Sequence, residues 1–358
     1  MSSRLGLIIA GIIALILVIL AGFYIFGFEG SDGGYLKSVQ TPKQFNGEVV
    51  WREATTTIPW PKRDAPATWV ANGKIYLAGG IDGETNTTGS YVEYWKLPHF
   101  NDIWSTTDGE HWIEEVKHAE WTPRRSISII PFKGKYFLYG GWSPVGGYKT
   151  DIWQSADGLT WSKATVTPPW VGREGQAVIN HQGKLFFIGG VNFDKRQEFN
   201  DVWASDDGLN WTEIASTTPW SLRYDQAVES WNGYIWLSGG VHLGGKSGES
   251  DVWRSADGLN WEQVVNNAPW GERHGFALFG WREHLWLVSG WNIAGDFGNR
   301  DVWYSADGSN WLQSGSTTPW EGREDHAVNI LNDKLIFFTG MKTGYKWTND
   351  VWLGELAR

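Results

Sequence analysis

The chain contains no cysteine. That excludes disulfides, thiolate metal ligands, a cysteine nucleophile, acylation through sulfur and any cofactor that depends on a cysteine cross-link. The redox compartment is left open by the same absence. Lysine and arginine are also few, 30 against 40 acidic residues, and they form no runs; a net charge of −10 offers no footprint for a polyanion, so nucleic acid is not an expected partner. The eight histidines show neither H-x-H nor HExxH spacing, so no metal and no cofactor is expected.

Charge is missing altogether from Leu5 to Phe26, LGLIIAGIIALILVILAGFYIF. An uncharged run of this length spans about 30 Å of hydrocarbon as a helix. Arg4 precedes it, whereas Glu29 and Asp32 follow, which predicts a cytoplasmic N-terminus and an extracytoplasmic remainder, periplasmic or at the cell surface. A small-x-small cleavage site is poor here, so an uncleaved single-pass anchor is expected over residues 1–27, a linker over 28–45 and one repetitive domain over 46–358.

What the chain has in abundance is tryptophan, 27, and glycine, 45, and both are periodic. An Asp-Ile/Val-Trp triplet places its Trp at 104, 153, 203, 253, 303 and 352, a period of 49 or 50 residues. Turns reading SADGLTW, SDDGLNW, SADGLNW and SADGSNW end at Trp161, Trp211, Trp261 and Trp311, and a variant ends at Trp112. Nine residues on stands another Trp, and three beyond it an Arg, giving the pairs Trp60/Arg63, Trp121/Arg124, Trp170/Arg173, Trp220/Arg223, Trp270/Arg273 and Trp320/Arg323.

Each unit continues as two apolar runs around a turn such as Asn232-Gly233, a hairpin pattern that defines strands a and b. Strand b ends in Gly-Gly or a near equivalent, at 79–80, 140–141, 189–190, 239–240, 289–290 and 339–340. Strand c carries the triplet, an Asp-Gly turn follows, and strand d carries the next Trp. Four antiparallel strands per period predict an all-β, six-bladed β-propeller preceded by one transmembrane helix. Trp51 matches the strand-d Trp without a strand c before it, and Trp352 ends a strand c with almost no chain after it. An N-terminal strand is therefore expected to complete the C-terminal blade, which also removes a sheet edge.

Gly-Gly at the end of strand b, a Trp about a dozen residues before an Arg and a 50-residue period resemble the kelch repeat, over roughly residues 46 to 358. The resemblance implies a galactose-oxidase-like, kelch-type propeller. It departs where Trp replaces the usual Tyr before the turn, and S-x-D-G-x-x-W is one residue shorter than the Asp-box of sialidases. In those enzymes the box is a structural turn, so it lends little to sialidase activity, and the Cys–Tyr cross-link of kelch-type copper oxidases cannot form here.

Residues present in every repeat are expected to serve folding, since one site seldom needs six identical groups. The repeated Trp side chains each bury about 150–250 Å², several kcal/mol at about 25 cal/mol per Å² before entropy. Arg63, Arg124, Arg173, Arg223, Arg273 and Arg323 are matched in number by Asp102, Asp151, Asp201, Asp251, Asp301 and Asp350, which predicts one ion pair at each blade interface.

Function is then expected where repeats differ, on the face bearing the d-to-a and b-to-c connections. After the Arg stand Asp64, Arg125, Glu174 with Gln176, Tyr224 with Asp225, His274, and Glu324, Asp325 and His326. The b-to-c loops add Trp142, Tyr148, Phe193, Trp291, Asp296, Tyr345 and Trp347, and the longest loop, Ile81 to Asn101, carries Tyr91, Tyr94, Trp95, His99 and Phe100. Aromatic and charged groups around one mouth suit a protein loop or a sugar. The expected function is a membrane-anchored protein- or glycan-binding module. The alternative is a carbohydrate-active enzyme, either an isomerase like the kelch-type sialic acid mutarotases or a glycosidase, drawing an acid/base pair from the same face.

Overall fold

The computed structural model describes residues 45, 47–55, 57–84 and 96–357. The expected anchor at residues 5–26 and the loop aromatics Tyr91, Tyr94 and Trp95 lie outside the described residues. Within them, no helix is long and apolar enough to cross a membrane.

The described residues form six four-stranded antiparallel sheets. Sheet one runs Ala67–Ala71, Lys74–Ala78, Ile103–Thr106 and Trp112–Val116. Sheet two runs Ser128–Phe132, Lys135–Tyr139, Trp153–Ser155 and Ser162–Lys163. Sheet three takes Ala177–His181, Lys184–Asn192, Gln197–Ser205 and Thr212–Ala215, and sheet four Ala227–Trp231, Tyr234–Ser238, Val252–Ser255 and Trp261–Val265. Sheet five takes Ala277–Trp281, His284–Val288, Val302–Ser305 and Leu312–Gln313. Sheet six combines Ala327–Leu331, Lys334–Phe338 and Val351–Leu356 with Val49–Thr55. The last pairing runs antiparallel from Val49 opposite Leu356 to Glu53 opposite Trp352, with a bulge before Thr55.

This a-b-c-d order follows from local chemistry. Strand b is an apolar run that is almost wholly buried, and a two-residue turn joins it to the less buried strand a. At the c-to-d turn Ser155 Oγ accepts the Gly158 amide, while Asp157 Oδ1 accepts the amides of Leu159 and Thr160 at 2.8 Å. Those amides, the Thr160 bond foremost, hold the Asp157 carboxyl down at about 2. Trp161 Nε1 then donates to the Gly158 carbonyl, which fastens strand d to the turn.

The core is divided among the sheets. One apolar cluster joins sheets one and two, others join two to three, three to four, four to five and five to six, and a further one sets Ile75 and Leu77 of sheet one against Ile336, Phe338 and Val351 of sheet six. The Trp preceding each Arg is buried, and five of the six, all but Trp121, meet a strand-d Trp edge to face, as Trp270 does with Trp311 at 4.6 Å and 84°. Trp320 meets Trp51 in the same way, at 4.8 Å and 83°.

Candidate functional site

Each of the six arginines is buried and forks onto an aspartate. Arg223 Nη1 and Nη2 donate to the two oxygens of Asp251 at 2.6 and 2.8 Å, and Nη1 also donates to the Gly239 carbonyl. The same aspartate accepts the indole N–H of Trp253 at 2.7 Å. This arrangement recurs from Arg63, Asp102 and Trp104 to Arg323, Asp350 and Trp352. At Asp350 burial opposes ionisation, but the Arg323 guanidinium outweighs it and holds the carboxyl down at about 2.

The ion pair does not cross between sheets, as the sequence had suggested. Arg223 leads into strand a and Asp251 into strand c of the same sheet, so the pair closes within one repeat. What crosses is backbone: the carbonyl of each Arg accepts the amide of the second strand-b glycine of the preceding repeat, from Gly80 to Arg124 through to Gly340 to Arg63.

The residue after each Arg forms a short antiparallel bridge with the residue after Gly-Gly: Asp64 with Ile81, Arg125 with Trp142, Glu174 with Val191, Tyr224 with Val241, His274 with Trp291, and Glu324 with Met341. At the second glycine φ lies between +85° and +105°, and an added Cβ would come 2.4–3.0 Å from the carbonyl of the residue after Arg. Ser289 and Thr339 can replace the first glycine, but every repeat keeps the second.

The next residue in each repeat, Ala65, Ser126, Gly175, Asp225, Gly275 and Asp325, has φ between +48° and +63°. Amide-to-carbonyl bonds link them across sheets: Ser126 to Ala65, Asp225 to Gly175, Gly275 to Asp225 and Asp325 to Gly275. The remaining residue of the trio is Pro66, Ile127, Gln176, Gln226, Phe276 or His326.

These three successive positions divide two cavities. One, of about 140 Å³, is walled by all six residues that follow Arg, joined by Ser126, Asp225, Asp325, Phe193, Met341 and Tyr345. The other, of about 220 Å³, is walled by the second and third residues of all six repeats. Ser126, Asp225 and Asp325 face both.

In the first cavity Arg125 Nε and Nη2 donate to Glu174 at 3.0 and 3.2 Å, both residues being buried. Tyr148 completes this corner, donating to Glu174 at 3.4 Å and accepting the Phe193 amide. Across the cavity His274 Nδ1 lies 3.1 Å from Glu324 Oε2 but off a hydrogen-bonding direction. Burial holds His274 down at about 4, so it is neutral at neutral pH.

Asp225, Glu324 and Asp325 carry no side-chain hydrogen bond among the described residues. Burial, followed by repulsion from neighbouring carboxylates, pushes Asp225 and Glu324 well above the usual carboxylate range. Burial and Glu174 push Asp325 up to about 6, against the pull of Arg125. Gly175 and Gly275 make room for the two aspartates: a Cβ at either would stand 2.7 or 2.8 Å from the next aspartate's Oδ1.

Of the residues singled out in the sequence, Glu174, Tyr224, Asp225, His274, Glu324 and Asp325 therefore meet in one cavity. Asp64, Arg125, Phe193 and Tyr345 join them there. His326 and Gln176 do not. They sit one position further along strand a's approach and line the second cavity, with His326 stacked on Phe337 and held at about 3 by burial. Trp142 lies under the Arg125 guanidinium at 4.9 Å, Trp291 donates to Asp296, and Trp347 packs with Ile81, Leu97 and Met341. Met341 and Ser126 were not singled out. The Gly or Asp found two places after Arg in four of the six repeats was the available signal, since Gly and Asx residues tolerate a left-handed backbone.

No protein-family profile and no curated protein matches the sequence. A solved structure, that of YjhT, is similar with a TM-score of 0.65 and 16% identity, over 82% of this chain and 95% of its own. At that identity the likeness is one of fold, an all-β architecture of propeller type.

Proposed function

We propose that residues 46–358 form a closed, six-bladed kelch-like propeller that binds a ligand, a glycan unit or a peptide side chain, in the cavity beneath the d-to-a and b-to-c connections. Closure is supported by the pairing of Val49–Thr55 with Val351–Leu356 and by the apolar cluster between sheets six and one. The repeated Arg, Asp and Trp serve as scaffold, since each satisfies the others inside its own repeat.

One observation carries the binding reading. The cavity is walled by the position directly after Arg, which takes a different side chain in nearly every repeat, within a repeated frame of Arg, Asp and Trp. Carboxyls, a guanidinium and the rings of Phe193, Tyr224 and Tyr345 suit hydroxyls and the apolar face of a pyranose. Anionic sugars fit poorly, because the repeated arginines are spent on aspartates and Arg125 on Glu174. Residues 5–26 act in this reading as the anchor that presents the propeller outside the cytoplasm.

A glycan and peptide array probed with the full chain in detergent tests it. Binding that weakens about tenfold in Tyr224→Ala, ~1.4 kcal/mol, is expected. An array without ligands, or ligands indifferent to Tyr224→Ala, rejects it. A second reading, a carbohydrate-active enzyme, is favoured by the raised carboxyls, since a general acid needs a carboxyl that holds its proton more firmly than usual. Hydrolysis and anomer-exchange assays on any sugar that binds decide it, with no turnover leaving binding alone.

A further inference from the structure

We infer that the ligand carries a cationic group, an ammonium, seated among the carboxyls of Asp225, Glu324 and Asp325; this specifies the binding reading above and rests on it.

The first argument is the imbalance of the wall. It presents five carboxyl groups and one guanidinium, and that guanidinium is bidentate to Glu174. His274, mostly buried and neutral at neutral pH, supplies no compensating charge. The second is Glu324 itself, only 6% exposed, lining the cavity and hydrogen-bonded to nothing among the described residues. His274 Nδ1 lies 3.1 Å away but makes no hydrogen bond to it, and a buried carboxyl without one is costly; elsewhere this chain satisfies its acids closely, as at Asp251.

Asp225 and Asp325, partly buried, likewise carry no side-chain hydrogen bond among the described residues. Glycines at 175 and 275 open the space they occupy, so their exposure to the cavity is built into the backbone. Burial and repulsion from neighbouring carboxylates, Glu174 in the case of Asp325, raise all three carboxyls, a penalty that an ammonium would relieve.

The geometry also separates an organic cation from a metal ion. Among the described residues no three acids or histidines converge closely enough to hold one metal. The carboxyls instead surround a space of about 140 Å³, with Phe193 set edge-on to Tyr224 at 5.3 Å in its wall. Carboxylates spread around a cavity with aromatic rings match an alkylammonium, which combines charge-assisted hydrogen bonds with cation–π contact.

The test is calorimetric titration of the full chain in detergent at pH 7 with glucosamine, glucose and glucuronate, which share a ring and differ in charge, and with cyclohexylamine, which keeps the amine and loses the hydroxyls. Glucosamine is expected to bind at least tenfold tighter than glucose, glucuronate weakest, and the preference to fall below threefold in both Glu324→Gln and Asp225→Asn. Circular dichroism melts confirm that those variants are folded. Cyclohexylamine binding like glucosamine assigns recognition to the ammonium alone and supports the inference equally. Glucose binding as tightly as glucosamine overturns it while leaving the binding reading intact; binding by none of the four overturns it too, and the array then decides the binding reading separately. Displacement of glucosamine by micromolar calcium, or a preference unchanged in both variants, overturns the ammonium assignment as well.

Discussion

Each repeated arginine joins three parts of the chain. Its guanidinium ties the entry of strand a to the end of strand b and the start of strand c, and its carbonyl accepts an amide from the neighbouring repeat. Because Arg223 is 0% exposed, replacing it strands the Asp251 carboxylate in a site built to neutralise it. Arg223→Ala should therefore lose about 3–5 kcal/mol in urea unfolding, and Arg223→Ala/Asp251→Ala less than the sum of the two single losses. A single-variant loss under about 1 kcal/mol would mean that the pair is not the scaffold element described.

At the scale of the element, what recurs is a backbone bridge between the residue after Arg and the residue after Gly-Gly. The second glycine is its condition, since the facing carbonyl occupies the place of a Cβ. Gly290→Ala would put that carbon 2.9 Å from the His274 carbonyl and 2.6 Å from Phe276 Cβ, with φ at +91°. It should destabilise by more than about 1 kcal/mol and displace His274 from the cavity wall. Thermal melts measure the first effect, and the ring-proton shifts of His274 the second. Unchanged values for both would remove the bridge from the account of the site.

Across the whole molecule the repeats bring carboxyls 50 or 100 residues apart in sequence to one axis, and their charges interact. Asp325 holds its proton more firmly folded, at about 6, than unfolded, near 3.9. The folded state therefore binds more protons over that interval, and its contribution to stability declines as pH rises from about 4 to about 6 and stays low above. Removing the carboxyl should reverse the decline. Asp325→Asn is expected to raise the melting temperature at pH 7.5 by roughly 2–4 °C and to change it little at pH 4. A larger gain at pH 4 than at pH 7.5 would contradict the sign of the shift.

The six-fold strand pattern was legible in the sequence because it is written in local terms. Paired apolar runs, an Asn-Gly turn and an S-x-D-G-x-x-W turn each specify a few residues of backbone, and repetition multiplies the signal. Trp51 could be matched to strand d for the same reason, and Trp320 meets it edge to face. Tertiary structure alone decided which side chains share a cavity. Glu324, Asp325 and His326 are consecutive, yet one faces the first cavity, one both and one only the second, because the left-handed turn at Asp325 carries the chain past the boundary. It also decided that Arg223 pairs within its own sheet, and that Glu324 has only the His274 ring beside it, without a hydrogen bond, while Glu174 is bound by Arg125. Those outcomes depend on distances between separate repeats, which the packing of sheets against one another sets and which no local run of residues encodes.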